Sequence, residues 1–141
     1  MTPIMALDVG QKKTGVALTD PLEIIACPLT VFRHSQPPEL LEFLEKAVQE
    51  NRVHTIVVGV PYGNDGEMTK QGELVLQVAR FLRKKMSKEI QWVFQEEILS
   101  SSEARQKLAD SGAKRKKRRQ PVDQFAAVQI LQRYLDKREV K

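Results

Sequence analysis

The chain has a single cysteine, Cys27, in 141 residues, so no internal disulfide can form. That thiol and two histidines, His34 and His54, make no cluster of the spacing that zinc sites use. No apolar run approaches the roughly 20 residues that a membrane-spanning helix needs. The opening residues, Met1-Thr2-Pro3-Ile4-Met5, carry no basic segment ahead of their apolar stretch, which argues against a secretory signal. Aromatic residues make up only 6% of the chain, too few for recognition by many base-stacking platforms. Together these shortages predict a cytoplasmic protein without membrane association. Cys27 is expected in the core, because its neighbours are apolar, and both histidines on the surface.

What is abundant is positive charge, and it is local. The chain holds 23 Lys plus Arg against 18 Asp plus Glu. Six of those cations are consecutive: Lys114, Arg115, Lys116, Lys117, Arg118 and Arg119. Without them the balance is 17 against 18. A basic block inside an otherwise balanced chain points to a polyanion, and nucleic acid is the expected partner. Mutual repulsion predicts a flexible loop at about 111–120 that holds a phosphodiester backbone without reading sequence. Lys12 and Lys13 are expected to add to that surface.

An apolar content of 41% over this length fits one domain with its own core, spanning residues 1–141. Short apolar runs at 4–8 and 14–19, joined through Gly10, read as an antiparallel hairpin, with 25–32 as the next strand. Leu40, Leu41, Leu44, Ala47 and Val48 recur at helical spacing after Pro37-Pro38. The β-branched run 55–59 reads as a strand covered on both faces, followed by a loop at 60–66. Leu74, Val75, Val78, Ala79 and Leu82 make a second amphipathic helix. Residues 90–94 form a fifth strand, 101–110 a further helix, and 121–135 the last. This order predicts an α/β fold: a mixed five-stranded sheet, a three-strand antiparallel meander plus two parallel strands, flanked by helices. Sites in such sheets form outside the strand ends where strand order reverses.

Three carboxylates stand out. Asp8 is the first polar group after an apolar strand, where a desolvated carboxylate needs a partner, although an Asp before Gly10 also suits a turn. Glu96 and Glu97 follow the fifth strand, and alternation lets only one of them point into a site. Asp123 continues the stripe of Ala126, Ala127, Ile130, Leu131 and Tyr134, although an Asp in a first helical turn also suits the helix dipole. Oxygen-only ligands gathered at one point favour Mg²⁺ or Mn²⁺, and two such ions can drive phosphodiester hydrolysis.

The motifs resemble those of the YqgF family, Holliday junction resolvases also assigned to pre-16S rRNA processing, over nearly the whole chain. Leu7-Asp8-Val9-Gly10 and Gly15-Val16-Ala17-Leu18-Thr19-Asp20-Pro21 match its opening. Val58-Gly59-Val60-Pro61 with Asp65-Gly66 matches its middle loop. Glu96-Glu97-Ile98-Leu99-Ser100-Ser101 falls on its third block, and Val122-Asp123-Gln124-Phe125-Ala126-Ala127 on its ending. The resemblance implies an RNase H-like fold, a metal-dependent nuclease, and catalytic and metal-binding roles for Asp8, Glu97 and Asp123. The chain departs from the family at Ile98 and Glu96, where Arg and Asp are usual; Ile cannot hold a phosphate or orient a carboxylate. Tyr62-Gly63 replaces a more usual Leu-Asn. A non-catalytic nucleic-acid-binding module acting on rRNA precursors is therefore a competing expectation. A phosphotransfer ATPase, suggested by Asp8-x-Gly10, would need two such domains. Junction cleavage would call for a homodimer, for which no apolar face is left over.

Overall fold

A computed structural model describes residues 3–20, 22, 25–98 and 119–139, with side chains at all of these except 98, 119–125 and 139. Five strands and three helices are present among them. In chain order they are β1 (Ile4–Val9), β2 (Lys13–Thr19), β3 (Ala26–Arg33), α1 (Pro37–Asn51), β4 (Thr55–Tyr62), α2 (Lys70–Lys85), β5 (Gln91–Ile98) and α3 (Arg119–Glu139). The sheet order is β3-β2-β1-β4-β5. The first three strands pair antiparallel, and β4 joins β1 and β5 in parallel. The meander-plus-crossover sheet expected from the sequence is therefore borne out. The helix expected at 101–110 and most of the basic block lie outside the described residues.

Strand parity divides the core. Met5, Leu7, Val9, Val16, Ile56, Val58 and Val60 face α1 and α2. Ile4, Ala6, Ala17 and Val57 face the other way and pack under Ala127, Ile130, Leu131 and Leu135 of α3. The near-continuous apolar runs of β1 and β4 follow from this, since both central strands are covered on both faces.

Local chemistry fixes where α1 and α2 begin. Glu39 Oε1 accepts the backbone N–H groups of Ser35 (2.6 Å) and Gln36 (2.8 Å), closing the entry to α1 behind Pro37-Pro38. These bonds hold the Glu39 carboxyl below its ordinary pKa. Arg52, at φ 56°, ends the helix in the left-handed region. At α2, Thr69 Oγ1 accepts from the Gly72 N–H (2.9 Å) and donates to the Pro61 carbonyl (3.0 Å), so one hydroxyl caps the helix and ties it to β4. The glycine is needed there: a Cβ on Gly72 would lie 2.6 Å from the Pro61 carbonyl oxygen.

Several sequence expectations need correction. The loop expected at 60–66 begins later, because Val60, Pro61 and Tyr62 continue β4 against Glu96, Glu97 and Ile98. Asp8 is the penultimate residue of β1 rather than its end, and Glu97 lies within β5 rather than after it. Cys27 is exposed. It pairs with Leu18 on an edge strand, so apolar neighbours in sequence do not bury it. His54 is exposed as expected. His34 is half-buried instead: its Nε2 lies 2.8 Å from Thr14 Oγ1, and its ring stacks on Phe32. Burial lowers its pKa from the ordinary 6.5, against an opposing pull from Glu39. No described helix is long and apolar enough to cross a membrane.

Candidate active site

The carboxyl ends of the three parallel strands meet the face that α3 covers. Alternation places Asp8 on that face, since its neighbours Leu7 and Val9 belong to the opposite core. Leu7 pairs with Val58, so Asp8 stands one residue further on, level with Gly59 of β4. On its other side Asp8 pairs with Gly15 of β2. Asp8 thus stands between two positions that carry no side chain.

Glu97 occupies the same face on β5, on the far side of β4. It pairs with Pro61, two residues beyond the level of Gly59. Asp8 and Glu97 are therefore two strands and two residues apart, roughly 12 Å at the backbone. Gly59 lies between them, and its bareness is enforced. A Cβ there would come within 2.5 Å of Ile130 Cδ1 and 3.3 Å of Glu97 Cγ. The two carboxylates look over a floor of glycine roofed by one isoleucine.

Parity also decides between the adjacent glutamates. Glu97 is buried, at 9% exposure, whereas Glu96 is exposed and faces the other side of the sheet. A buried carboxylate is retained only with partners, and Glu97 has two. Gln95, buried on the same face, donates from Nε2 to Glu97 Oε2 (2.9 Å) and to the Ile130 carbonyl (3.0 Å). Arg133 of α3 donates to Glu97 Oε1 in an ion pair. The carboxylate is held from both sides, by its own strand and by the covering helix.

Asp123 falls in the first turns of α3, seven residues before Ile130, which is about two turns and roughly 10 Å along the axis on the same helix side. Its side chain lies outside the described ones, as do those of Arg119 and Ile98. Lys114, Arg115, Lys116, Lys117 and Arg118 lie outside the described residues altogether. Lys12 is exposed in the β1–β2 turn and Lys13 opens β2, both at the end of the sheet where Asp8 stands. Among the described residues no group of three His, Cys, Asp or Glu side chains is gathered as a metal site. The described part of the candidate site is thus two carboxylates, Asp8 and Glu97.

Sequence reasoning missed Gln95, Arg133 and the spacer Gly59. Gln95 shares the parity of Glu97 and could have been found by applying alternation one step back. Arg133 sits three residues after Ile130, on the flank of the apolar stripe, where a long cation can reach around to the sheet.

Comparison with known proteins follows the same lines. The relatives named "Putative pre-16S rRNA nuclease" include one from Moorella thermoacetica, 39% identical over 134 residues, with 95% of this chain and 94% of the relative covered. Another, from Halalkalibacterium halodurans, is 37% identical over 139 residues, covering 97% and 98%. Among solved structures, RuvC of T. thermophilus in complex with a Holliday junction substrate superposes with a TM-score of 0.60 at 13% identity, covering 99% of this chain and 96% of that one. The Fowlpox virus resolvase with junction DNA gives 0.57 at 8% identity, covering 96% and 98%. Those likenesses show the fold, which is RNase H-like. The model of the RuvX family, described as Holliday junction resolvase, matches residues 2–137, the span that carries both carboxylate strands and the helix above them, and the chain belongs to that family.

Proposed function

We propose that this chain is a metal-dependent endonuclease that hydrolyses phosphodiester bonds in structured nucleic acid, in pre-16S rRNA processing, Holliday junction resolution or both. The observation that carries the reading is Glu97, a buried carboxylate on the same sheet face as Asp8, at the carboxyl ends of parallel strands. A buried acid with dedicated donors on both oxygens is a costly arrangement, and a catalytic cleft gives it a use. Relatives named for rRNA processing and a family described by junction resolution support the substrate class. The lack of a membrane-spanning helix among the described residues agrees with a cytoplasmic enzyme.

The donor set suits Mg²⁺ or Mn²⁺: hard oxygen ligands, with no thiol or imidazole beside them. Asp8, Glu97 and Asp123 would hold the metal, in two ions if the site is complete. When bound, such ions supply an activated water and charge neutralisation at the leaving oxygen. The chain's own residues do the rest. Gln95 and Arg133 fix the Glu97 carboxylate. Gly59 makes room for Ile130, so α3 can lie close over the strands that carry the carboxylates. Lys12, Lys13 and the cations at 114–119 hold the backbone of the strand as it enters. Arg133 also gives Glu97 a guanidinium partner that Ile98, beside it in sequence, cannot provide.

A panel of junction DNA, duplex RNA and single-stranded RNA, with Mg²⁺ or Mn²⁺, tests the reading. Cleavage by the native chain and its loss in folded Asp8→Asn and Asp123→Asn variants is the expected result; robust cleavage by both variants would overturn it. A second reading, a binding module without catalysis, draws on the ion pair that occupies one Glu97 oxygen. It expects metal-independent binding and no cleavage of any substrate in the panel.

A further inference from the structure

A second basic surface lies away from the carboxylates. A groove of about 450 Å³ runs between the last turns of α2 and the start of β5, with Arg80, Arg83, Lys84 and Lys88 on its walls beside Ser87 and Trp92. All four cations are exposed, and no carboxylate lines the groove. None of the four makes an ion pair with another described residue. Cations in a last helical turn complement the helix dipole, which accounts for Arg83 and Lys84. It does not account for Arg80, a turn earlier, or Lys88, beyond the helix end. Trp92 packs part of its ring on the core and leaves the rest to the groove. Uncompensated guanidinium and ammonium groups around an indole match the two parts of a nucleotide, phosphate and base. The volume is that of a site for one small ligand.

We propose that this groove is an accessory nucleic-acid site. It takes one nucleotide of a single-stranded segment, with its phosphates on Arg80, Arg83, Lys84 and Lys88 and its base against Trp92. The choice of nucleic acid rests on the proposed function; the site itself does not. Trp92 and Glu97 are five residues apart on β5, roughly 16 Å, and point to opposite faces of the sheet. β5 is an edge strand. A strand that occupies both sites must pass around that edge, so the groove would grip a single-stranded flank of the substrate rather than the bond being cut.

Trp92 is the only tryptophan in the chain, so in the folded protein indole emission comes from the groove wall. The experiment titrates the full-length Asp8→Asn chain with a short single-stranded RNA and follows Trp92 fluorescence at several salt concentrations. Saturable quenching is expected, and the Arg83→Ser/Lys84→Ser double variant should weaken it at least tenfold. The salt slope should fall by about 0.7 for each phosphate that the variant no longer neutralises. Cleavage of a blunt substrate without single-stranded flanks should be unchanged when the same double substitution is made in the native chain. Unchanged emission at saturation, or equal affinity in the double variant, would overturn the site. Equal quenching by an abasic strand would overturn the base contact with Trp92. Equal affinity for a free nucleoside monophosphate would overturn the strand assignment, and equal affinity for polyaspartate would make the partner an acidic peptide. Quenching together with no cleavage of any substrate in the panel by the native chain would sink the nuclease reading and leave the groove standing.

Discussion

Replacing Gln95 by leucine isolates what holds Glu97 in place. The amide donates two hydrogen bonds from a position that is 4% exposed, one of them to a carboxylate. A bond to a charged acceptor contributes about 1.5–3 kcal/mol, and one to a neutral carbonyl about 0.5–1.5 kcal/mol. The added apolar burial of leucine returns roughly 1 kcal/mol. The net loss should lie near 2 kcal/mol, which corresponds to a fall in melting temperature of roughly 4–8 °C for a chain of this size. Urea unfolding followed by Trp92 emission measures it. The functional consequence is separable from the stability loss. Well below the melting temperature the Gln95→Leu protein is folded, yet Glu97 keeps only its bond to the half-exposed Arg133. Its affinity for Mn²⁺, read by calorimetry without nucleic acid, should then fall severalfold. Gln95→Glu is the harsher variant, because it turns the donor into a second carboxylate beside the first. Stability within about 0.5 kcal/mol of the native chain, the ordinary scatter of a neutral surface change, with unchanged metal affinity, would refute the claim that Gln95 positions Glu97. Lost stability with unchanged affinity would reduce it to a packing residue.

Gly72→Ala should destabilise the protein: a Cβ 2.6 Å from a backbone oxygen forces α2 off β4, an overpacking cost of about 1–3 kcal/mol that alanine's helix propensity offsets by at most about 1 kcal/mol. A more stable variant in urea titration would contradict the close approach. His34 has a lowered pKa in the folded state, so the unfolded chain binds its proton first. Stability should be full above pH 6.5 and decline as pH falls through the window below it, and His34→Gln should flatten that decline in melting curves recorded across the range. Neutralising the six cations at 114–119 should flatten the salt dependence of RNA binding, by about 0.7 in slope for each phosphate left without a cation; an unchanged slope would remove the block from the interface.

The sheet was legible because its signals are periodic. Covered strands read as β-branched runs, and α1 and α2 as three- and four-residue stripes, with proline at the start of α1. Where the reading failed, tertiary context decided. Val60-Pro61-Tyr62 looks like a loop, since proline interrupts a strand pattern, but β5 pairs alongside and carries β4 through it. Cys27 looked buried because its neighbours are apolar, but edge strands expose residues whatever their sequence context. Of the site, the choice between Glu96 and Glu97 followed from parity once the strand register was known. Arg133 was hidden, because nothing in a helical stripe says which flanking cation will reach across to another strand.

The unequal cover of the two sheet faces has a consequence for motion. Among the described residues, one face carries two helices over a long apolar core that includes the largest buried side chains of β1 and β4; the other carries α3 over a smaller cluster dominated by alanine, isoleucine and leucine. Detaching α3 exposes only the smaller cluster, whereas unfolding the sheet exposes both, so the detachment should cost less. Amide protons of α3 should therefore exchange with deuterated solvent by a sub-global opening, ahead of those in β1 and β4. Because the same helix carries Arg133 and the position of Asp123, each such opening would dismantle the carboxylate site while leaving its strands intact.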